Sequence, residues 1–225
     1  MKTLFTYPEA LKNNLGVRLH KKRIQRDFRR QVELQLANGE PLKLVIGAGA
    51  GLHFVGASAS NHEGWFLTDE ATLDALNPND WRALFQTGIV ERIMAEHVIE
   101  HWTEDGFRMF LSIAKQFLAP DGNIRIAVPD GFHPDRTYID AVKPGGTGPG
   151  ADDHKVLHNY QTLGSILSKE NWSYDLLEYF DERGVFHRKA WDITNGFVER
   201  SEHHDPRNEE RPLSYTSLIV DLHPK

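Results

Sequence analysis

Residues 44–51 read Leu-Val-Ile-Gly-Ala-Gly-Ala-Gly, an apolar run that breaks into alternating glycines. A strand that ends in glycines lets the backbone pass close to a ligand, because no Cβ blocks the approach. Asp69 follows at the end of a second apolar run, residues 64–68. An acid at the end of a neighbouring parallel strand can accept hydrogen bonds from both hydroxyls of a ribose. Gly47, Gly49 and Asp69 therefore predict a nucleotide-cofactor site.

Composition places the chain in the range of ordinary globular proteins. It has 225 residues, 26% charged and 40% hydrophobic, with a formal net charge of −6. This charge argues against bulk binding of nucleic acid. The absence of cysteine excludes disulfides and cysteine-based zinc sites. We find neither a signal peptide nor an apolar run of the ~18 residues that a membrane helix needs, and so we expect a cytoplasmic protein with a small-molecule partner.

Apolar strands alternate with amphipathic segments from residue 42 to residue 128. Such alternation predicts βαβ units and an α/β fold with a doubly wound, mainly parallel sheet. Residues 174–180 and 185–191 flank Asp-Glu-Arg-Gly, which predicts an antiparallel hairpin at the end of the sheet. Residues 1–40 form a basic helical arm in this interpretation, and residues 41–225 form the domain that carries the site.

The chain resembles the class I S-adenosylmethionine-dependent methyltransferases in four stretches. Residues 45–49 correspond to the glycine turn of that family, and residues 64–69 to its strand with a ribose-binding acid. Residues 95–102, Ala-Glu-His-Val-Ile-Glu-His-Trp, are similar to its segment after the fourth strand. Residues 118–129 are similar to its proline-glycine turn and fifth strand. More narrowly, the chain looks like a branch of predicted methyltransferases that has no assigned substrate.

This resemblance implies methyl transfer from S-adenosylmethionine to an O or N atom of a small-molecule acceptor. It also implies a set of cofactor-binding residues. These are Gly47, Ala48, Gly49, Asp69, Ala95 and Glu96. Asp74 and Asp80 compete for the place of the acid that contacts adenine. The acceptor, the choice between O and N, and the oligomeric state stay open.

Three polar residues are candidates for accepting the proton that the methyl acceptor loses. Asp130 and His133 directly follow a predicted strand, at the edge of the sheet where ligands bind in doubly wound folds. His154 follows a glycine-rich stretch, and we predict that residues 144–158 form a mobile lid. We expect Asp152 and Asp153 to favour the charged imidazole of His154.

Two alternatives compete with the methyltransferase hypothesis. His97-x-x-Glu100-His101 matches the zinc signature of inverzincins, in which a helix places both histidines on one face. Because the segment follows a buried strand, we predict no metal there. The polar stretch 50–63 differs from the usual first helix of methyltransferases, and it motivates the second alternative, a methyltransferase-like binding protein without activity.

Overall fold

The computed structural model describes residues 15–48 and 62–225. Gly49, most of the 50–63 stretch and the first part of the basic arm lie outside these ranges. A seven-stranded sheet forms the centre of the described chain, in the order β2-β1-β3-β4-β7-β5-β6. The strands are β1 (Leu42–Ile46), β2 (Phe66–Leu67), β3 (Val90–Glu96), β4 (Leu118–Pro129), β5 (Trp172–Phe180), β6 (Phe186–Arg188) and β7 (Ser217–Pro224).

Strand direction divides the sheet into two parts. β2, β1, β3 and β4 are parallel, and β7 runs antiparallel between β4 and β5. β5 and β6 form the predicted hairpin. A parallel core with an antiparallel end in this order is the Rossmann-like fold of class I methyltransferases, which confirms the predicted fold class.

Helices of the described chain connect the strands. They are α1 (Leu15–Ala37), α2 (Pro78–Leu84), α3 (Glu104–Phe117), α4 (Arg136–Val142), α5 (Tyr160–Lys169) and α6 (Arg207–Glu210). Thr103 caps α3 by accepting a hydrogen bond from the Gly106 amide at 3.2 Å, as its place in the sequence predicts. Asn159 forms a capping box at the start of α5.

α1 packs on the sheet rather than projecting from it. Phe28 and Val32 are buried in the main core, and Lys21 forms an ion pair with Asp80 at 2.6 Å. The helix ends at the predicted stop, where Gly39 has a φ of 74°. These contacts make α1 part of the layer that covers one face of the sheet.

Strand residues alternate between two cores, as the two-residue period of a strand requires. Leu44 and Ile46 face the main core, which also receives the apolar sides of α1, α2, α3 and α5. Val45 and Met94 face a smaller core on the other side, where Val198 and Trp191 cover the sheet. The segment that follows β6 therefore closes the second face.

The predicted turn at Pro120–Gly122 lies inside β4. Pairing with β3 jumps from Leu118 opposite Val90 to Asn123 opposite Arg92, so the intervening residues bulge out of the ladder. The residues of the predicted turn therefore form an irregularity within a strand that already begins at Leu118.

The glycine-rich stretch after α4 belongs to the predicted lid, and backbone hydrogen bonds join it to α4 in this structure. Its mobility stays a prediction. The amide of Gly148 donates to the Ala141 carbonyl at 2.8 Å, and that of Gly145 to the Ala151 carbonyl at 2.9 Å. A Cβ on Gly148 would lie 2.7 Å from the Ala141 carbonyl oxygen. Glycine thus serves close packing on the end of α4, and opening this loop would break several backbone hydrogen bonds.

The polar stretch 199–211 is also better packed than the solvated loop that its composition predicts. Ser201 and Asp205 are buried. The Asn208 side-chain amide donates to the carbonyls of Ser201, Glu202 and Tyr215. Hydrogen bonds to the backbone therefore fold this segment over the second face, although it contains few apolar residues.

A buried ion pair joins β4 to β7. The Arg125 guanidinium donates to both carboxylate oxygens of Asp221 at 2.7 Å, and the two residues are opposite each other in the ladder. Arg125 also donates to the carbonyls of Asp192 and Gly196 and lies 4.7 Å from the ring centre of Trp191. Four of the five N–H donors of this buried cation therefore have an acceptor.

We predict that Asp221→Asn lowers the free energy of unfolding by about 3–5 kcal/mol, because it leaves the Arg125 charge buried without its counter-charge. Urea denaturation measures the change. The matched control is Glu33→Gln, which removes an exposed ion pair with Arg29 on α1. It should change stability by less than about 1 kcal/mol. Equal effects of the two substitutions would contradict the structural role of the buried pair.

Candidate functional site

The carboxyl ends of the parallel strands β1, β2, β3 and β4 lie along one edge of the sheet. The chain moves from β1 to β2 on one side and to β3 on the other, so the order reverses between β1 and β3. Ligands of doubly wound sheets bind in the crevice at such a reversal. The site is therefore expected where Gly47 and Glu96 leave their strands.

Gly47 makes the turn out of β1 with a φ of 70°. A Cβ at this position would lie 2.6 Å from Cγ2 of Val98, in the segment that follows β3. Ala48 continues the turn, and its amide donates to the Thr68 carbonyl at 2.8 Å. Glycine is required here by both backbone conformation and close packing, and the turn is fixed against the end of β2.

Asp69 lies directly after β2, one strand away from this turn. Its Oδ1 accepts hydrogen bonds from the amides of Ala71 at 3.0 Å and Thr72 at 3.1 Å. The carboxylate therefore stabilises its own turn, which is one of the two roles that the sequence suggests for it. These bonds also orient the carboxylate at the predicted cofactor edge.

Asp74 and Asp80, the two candidates for adenine contact, belong to one small network. The Asp80 carboxylate accepts hydrogen bonds from the Asp74 amide at 3.0 Å and from the Asn77 side chain at 3.2 Å, and it pairs with Lys21. Asp80 thus joins α1 to α2. Burial raises the pKa of Asp74, with Lys21 opposing the shift.

Ala95 and Glu96 end β3. Ala95 is fully buried between Ile46 of β1 and Ile126 of β4. The Glu96 carboxylate accepts hydrogen bonds from the amides of Glu199 at 3.2 Å and Arg200 at 2.8 Å. Burial raises the pKa of Glu96, and the Arg200 charge opposes this shift. Glu96 therefore holds the 199–200 backbone over the end of the strand.

Asp130 is fully buried and connects the ends of β4 and β5. Its two carboxylate oxygens accept hydrogen bonds from the Phe132 amide at 2.9 Å and the Phe180 amide at 2.7 Å. Burial raises its pKa to about 6, although these two hydrogen bonds oppose the shift. With both oxygens engaged by the backbone, this carboxyl group acts as a connector between strand ends.

His133 is buried as well, with its ring stacked 3.9 Å from that of Tyr138. Its Nδ1 accepts a hydrogen bond from the Asp135 amide at 3.1 Å, and burial lowers its pKa. Within residues 15–48 and 62–225, no hydrogen bond or ion pair joins Asp130 or His133 to His154. Asp130 and His133 follow β4, His154 follows the glycine-rich stretch, and the catalytic roles of the three residues stay a prediction.

The segment 97–101 does not form the start of an α-helix, although its resemblance to the methyltransferase segment after the fourth strand implies that His97 and His101 begin the following helix. His97 has a φ of 53°, residues Ile99–His101 form one turn of 3-10 helix, and α3 begins only at Glu104. His97 Nε2 lies 3.0 Å from the Ser217 hydroxyl of β7. The inverzincin alternative requires two histidines on one face of a helix. His97 and His101 do not have this geometry.

Glu100 is the most unusual residue of this edge. Its side chain is 1% exposed, and neither carboxylate oxygen has a hydrogen-bond partner among the described residues. Burial raises its pKa to about 8, so that the carboxyl group holds its proton at neutral pH. The nearest imidazole nitrogens are Nδ1 of His97 at 3.4 Å and Nε2 of His154 at 4.0 Å.

His154 comes next to Glu100 because the loop before it folds back onto the 97–101 segment. The Lys155 amide donates to the Glu100 carbonyl at 2.7 Å. His154 Nδ1 lies 2.6 Å from the Val142 carbonyl, which can only accept, so Nδ1 carries the proton and Nε2 has the lone pair. The His154 and His101 rings meet edge to face at 4.7 Å.

The acidic pair beside His154 has a different partner from the one that we expected. Asp153 Oδ2 lies 3.4 Å from Nδ1 of His101, and Oδ1 pairs with Lys155 at 2.7 Å. The pKa of His101 is lowered, mainly by burial and by His154, with Asp153 opposing the shift. Asp153 therefore supports His101 rather than His154.

Arg200 and Tyr215 also lie at this edge of the sheet, and the sequence alone did not identify them. The Tyr215 ring stacks on His97 at 6.3 Å, and Arg207 lies 3.4 Å from its ring centre. The lowered pKa of His97 follows first from burial and then from the Arg200 charge. Both residues lie in or next to the polar stretch 199–211, which carries no periodicity or motif that could have identified them.

A cleft of about 410 Å³ lies elsewhere, between α1 and the start of β2. Its lining includes Phe28, Gln31, Gly64 and Trp65. It contains none of the predicted site residues, because it opens at the amino end of β2. Among the described helices, none is both long and apolar enough to cross a membrane.

A scan against protein-family models finds no match to this sequence, and a search of curated proteins also finds none. Many solved structures match the fold. One is a SAM-dependent methyltransferase from Archaeoglobus fulgidus, at 15% identity and a TM-score of 0.44, covering 96% of this chain and 98% of that one. Another is a 1,6-didemethyltoxoflavin-N1-methyltransferase from Burkholderia thailandensis, at 12% identity and a TM-score of 0.44, covering 96% and 82%.

A third match is the CurJ carbon methyltransferase, at 17% identity and a TM-score of 0.45. The match covers 82% of this chain but only 49% of that protein, so the chain spans about half its length. The fold assignment itself rests on the order and direction of the strands. By that criterion the chain has the fold of class I methyltransferases.

We predict that Gly47→Ala destabilises the protein more than Gly145→Ala does. Both glycines have a φ near 70°, but nothing lies within 4 Å of a Cβ on Gly145. Each substitution should cost about 1–2 kcal/mol for the left-handed backbone. Gly47→Ala should cost a further 1–3 kcal/mol or so, because it overpacks against Val98.

Urea denaturation of the two variants checks this difference. Adding Val98→Ala to Gly47→Ala should recover part of the loss, since it removes the methyl groups that the new Cβ meets. If the two glycine substitutions lowered stability equally, contact with Val98 would not explain why the β1 turn requires glycine at position 47.

Proposed function

We propose that the chain is a SAM-dependent methyltransferase that moves a methyl group to an O or N atom of a small-molecule acceptor. One observation carries the proposal. A glycine turn with positive φ at the end of β1 lies beside an oriented carboxylate, Asp69, at the end of the adjacent parallel strand. This pair lies at the point where the strand order reverses, the expected position of a nucleotide site.

The residues at this edge fit an adenosine-containing cofactor. The Asp69 carboxylate offers oxygen acceptors for a ribose diol, and charge-assisted hydrogen bonds of that kind are short and strong. Gly47 and Ala48 form the backbone turn, and Gly49, which follows them in the sequence, lies outside the described residues. Ala95 provides a small side chain between the ends of β1 and β4. Glu96 positions the 199–200 backbone above the same edge.

When bound, S-adenosylmethionine supplies an electrophilic methyl group, and the acceptor must lose a proton as the new bond forms. His154 is the proton acceptor in this proposal. Its Nδ1 proton is committed to the Val142 carbonyl, which leaves Nε2 to receive a proton from the acceptor. Asp130 and His133 act as positioning residues in the proposal. Asp130 joins the ends of β4 and β5, and His133 stacks on Tyr138, whose hydroxyl accepts a hydrogen bond from the Asp130 amide.

We predict that S-adenosylmethionine and S-adenosylhomocysteine bind to the full-length protein, and that Asp69→Asn weakens binding about 10–100-fold. This corresponds to roughly 1.5–3 kcal/mol, the range for a hydrogen bond to a charged group. Asparagine keeps an oxygen for the amides of Ala71 and Thr72, so that the turn survives while the charge is lost. Isothermal titration calorimetry measures both affinities.

Asp121→Asn is the matched control, since it removes an exposed carboxylate in the β4 bulge near the opposite edge of the sheet. The affinity of the Asp121→Asn variant for S-adenosylmethionine should equal that of the unmodified protein. Absence of binding by the unmodified protein, or equal affinities of the Asp69 and Asp121 variants, would reject the cofactor site. Binding without turnover across a panel of hydroxyl and amine acceptors would favour an inactive binding protein.

A further inference from the structure

Glu100, His101 and His154 form a cluster of metal-ligating groups. One nitrogen of each imidazole and one oxygen of the carboxylate all lie within 4.8 Å of one another. Glu100 and His101 come from the 3-10 turn after β3, and His154 comes from the loop after α4. The three residues are buried or half-buried, so the cluster is shielded from bulk water.

The sequence alone led us to predict no metal in residues 97–101, but the position of His154 beside Glu100 and His101 changes that expectation. We propose that this cluster binds a divalent transition-metal ion, with Zn²⁺ as the reference case. Two imidazoles and one carboxylate are a common donor set for zinc and related ions. At metal–ligand distances of ~2.0–2.2 Å, tetrahedral donors lie about 3.3–3.6 Å apart. Side-chain movements on the order of 1 Å would therefore bring the three donors to an ion.

The orientation of His154 fits this role. Metal-binding histidines usually donate the proton of the other ring nitrogen to a carbonyl or carboxylate, which fixes the tautomer and the direction of the ring. His154 Nδ1 makes such a bond with the Val142 carbonyl at 2.6 Å. Its Nε2 lone pair then points into the cluster, 4.0 Å from Glu100 Oε1.

Glu100 provides the second, independent observation. A buried carboxyl group without hydrogen-bond partners is costly, and native proteins rarely keep one without a reason. Protonation alone leaves the group unsatisfied, since the nearest imidazole nitrogens, at 3.4 and 4.0 Å, are beyond the usual length of an O–H···N bond. An ion between Glu100 and His154 would give both the carboxylate oxygen of Glu100 and Nε2 of His154 a partner.

The three protein ligands alone give an incomplete coordination shell. His97 flanks the cluster, with Nδ1 3.4 Å from Glu100 and Nε2 held by Ser217. Three protein ligands leave at least one coordination position open, which is typical of catalytic rather than structural zinc sites. Coordination would occupy the Nε2 lone pair of His154, so an ion bound here makes His154 a ligand in place of the proton acceptor of the proposed methyl transfer.

The test titrates the full-length protein, first freed of metal with a chelator, with Zn²⁺ by calorimetry and with Co²⁺ by visible absorption. We expect one ion per chain and visible bands for a Co²⁺ site of low coordination number. Glu100→Gln keeps the size of the side chain but removes the carboxylate ligand. It should weaken binding by more than the roughly 100-fold that loss of an outer partner causes.

His154→Ala should have a similar effect, whereas His203→Ala is the control, because His203 is 67% exposed and lies outside the cluster. Unfolding curves in chelator show whether each variant is folded. Absence of stoichiometric binding by the unmodified protein would overturn the proposal, as would unchanged affinity in folded Glu100→Gln. Calorimetry of S-adenosylmethionine with the chelator present tests the cofactor site separately, so failure of one proposal does not imply failure of the other.

Discussion

The register of the last strand depends on the buried ion pair between Arg125 and Asp221. The two residues are opposite each other across β4 and β7, and a slip by one residue would turn Asp221 to the other face of the sheet. This register sets where β7 begins, and its first residue, Ser217, contacts His97 at the carboxyl edge. Arg125 also donates hydrogen bonds to the carbonyls of Asp192 and Gly196. Gly196 lies a few residues before the 199–200 backbone, whose amides donate to Glu96. One ion pair therefore links the sheet, the cover of the second face and the candidate site.

Much of the fold follows from local sequence patterns. Apolar runs such as residues 42–46 and 123–128 predict strands because alternate residues face two cores, and both segments are strands of the parallel sheet. The helix starts at Thr103 and Asn159 follow from side chains that accept hydrogen bonds from the next turn. Such features depend on neighbours within a few residues, which is why the sequence alone was sufficient to predict them.

The candidate site was predictable only in part, because its members are far apart in the chain. The sequence identified His154 and the His-x-x-Glu-His segment separately, but the contact between His154 and Glu100 depends on how the glycine-rich loop packs on α4. A polar composition predicted solvent exposure for residues 199–211, whereas Asn208 satisfies three backbone carbonyls and buries the segment. Long-range hydrogen bonds of this kind leave no periodicity in a sequence.

Several buried polar atoms around the site have no hydrogen-bond partner among the described residues, among them both oxygens of Glu100, Nδ1 of His101 and Nε2 of His133. Glu100 differs from the others because it is a carboxyl group. Asp130 is equally buried, yet both of its oxygens accept backbone hydrogen bonds, so its burial is explained by its role as a connector. Glu100 has no such bonds among the described residues, although His97, His101 and His154 surround it. A protein built for stability alone would gain from an apolar residue at this position. Retaining an acid next to three imidazoles is what a site for a positively charged species requires, whether that species is a proton passed through His154 or a metal ion.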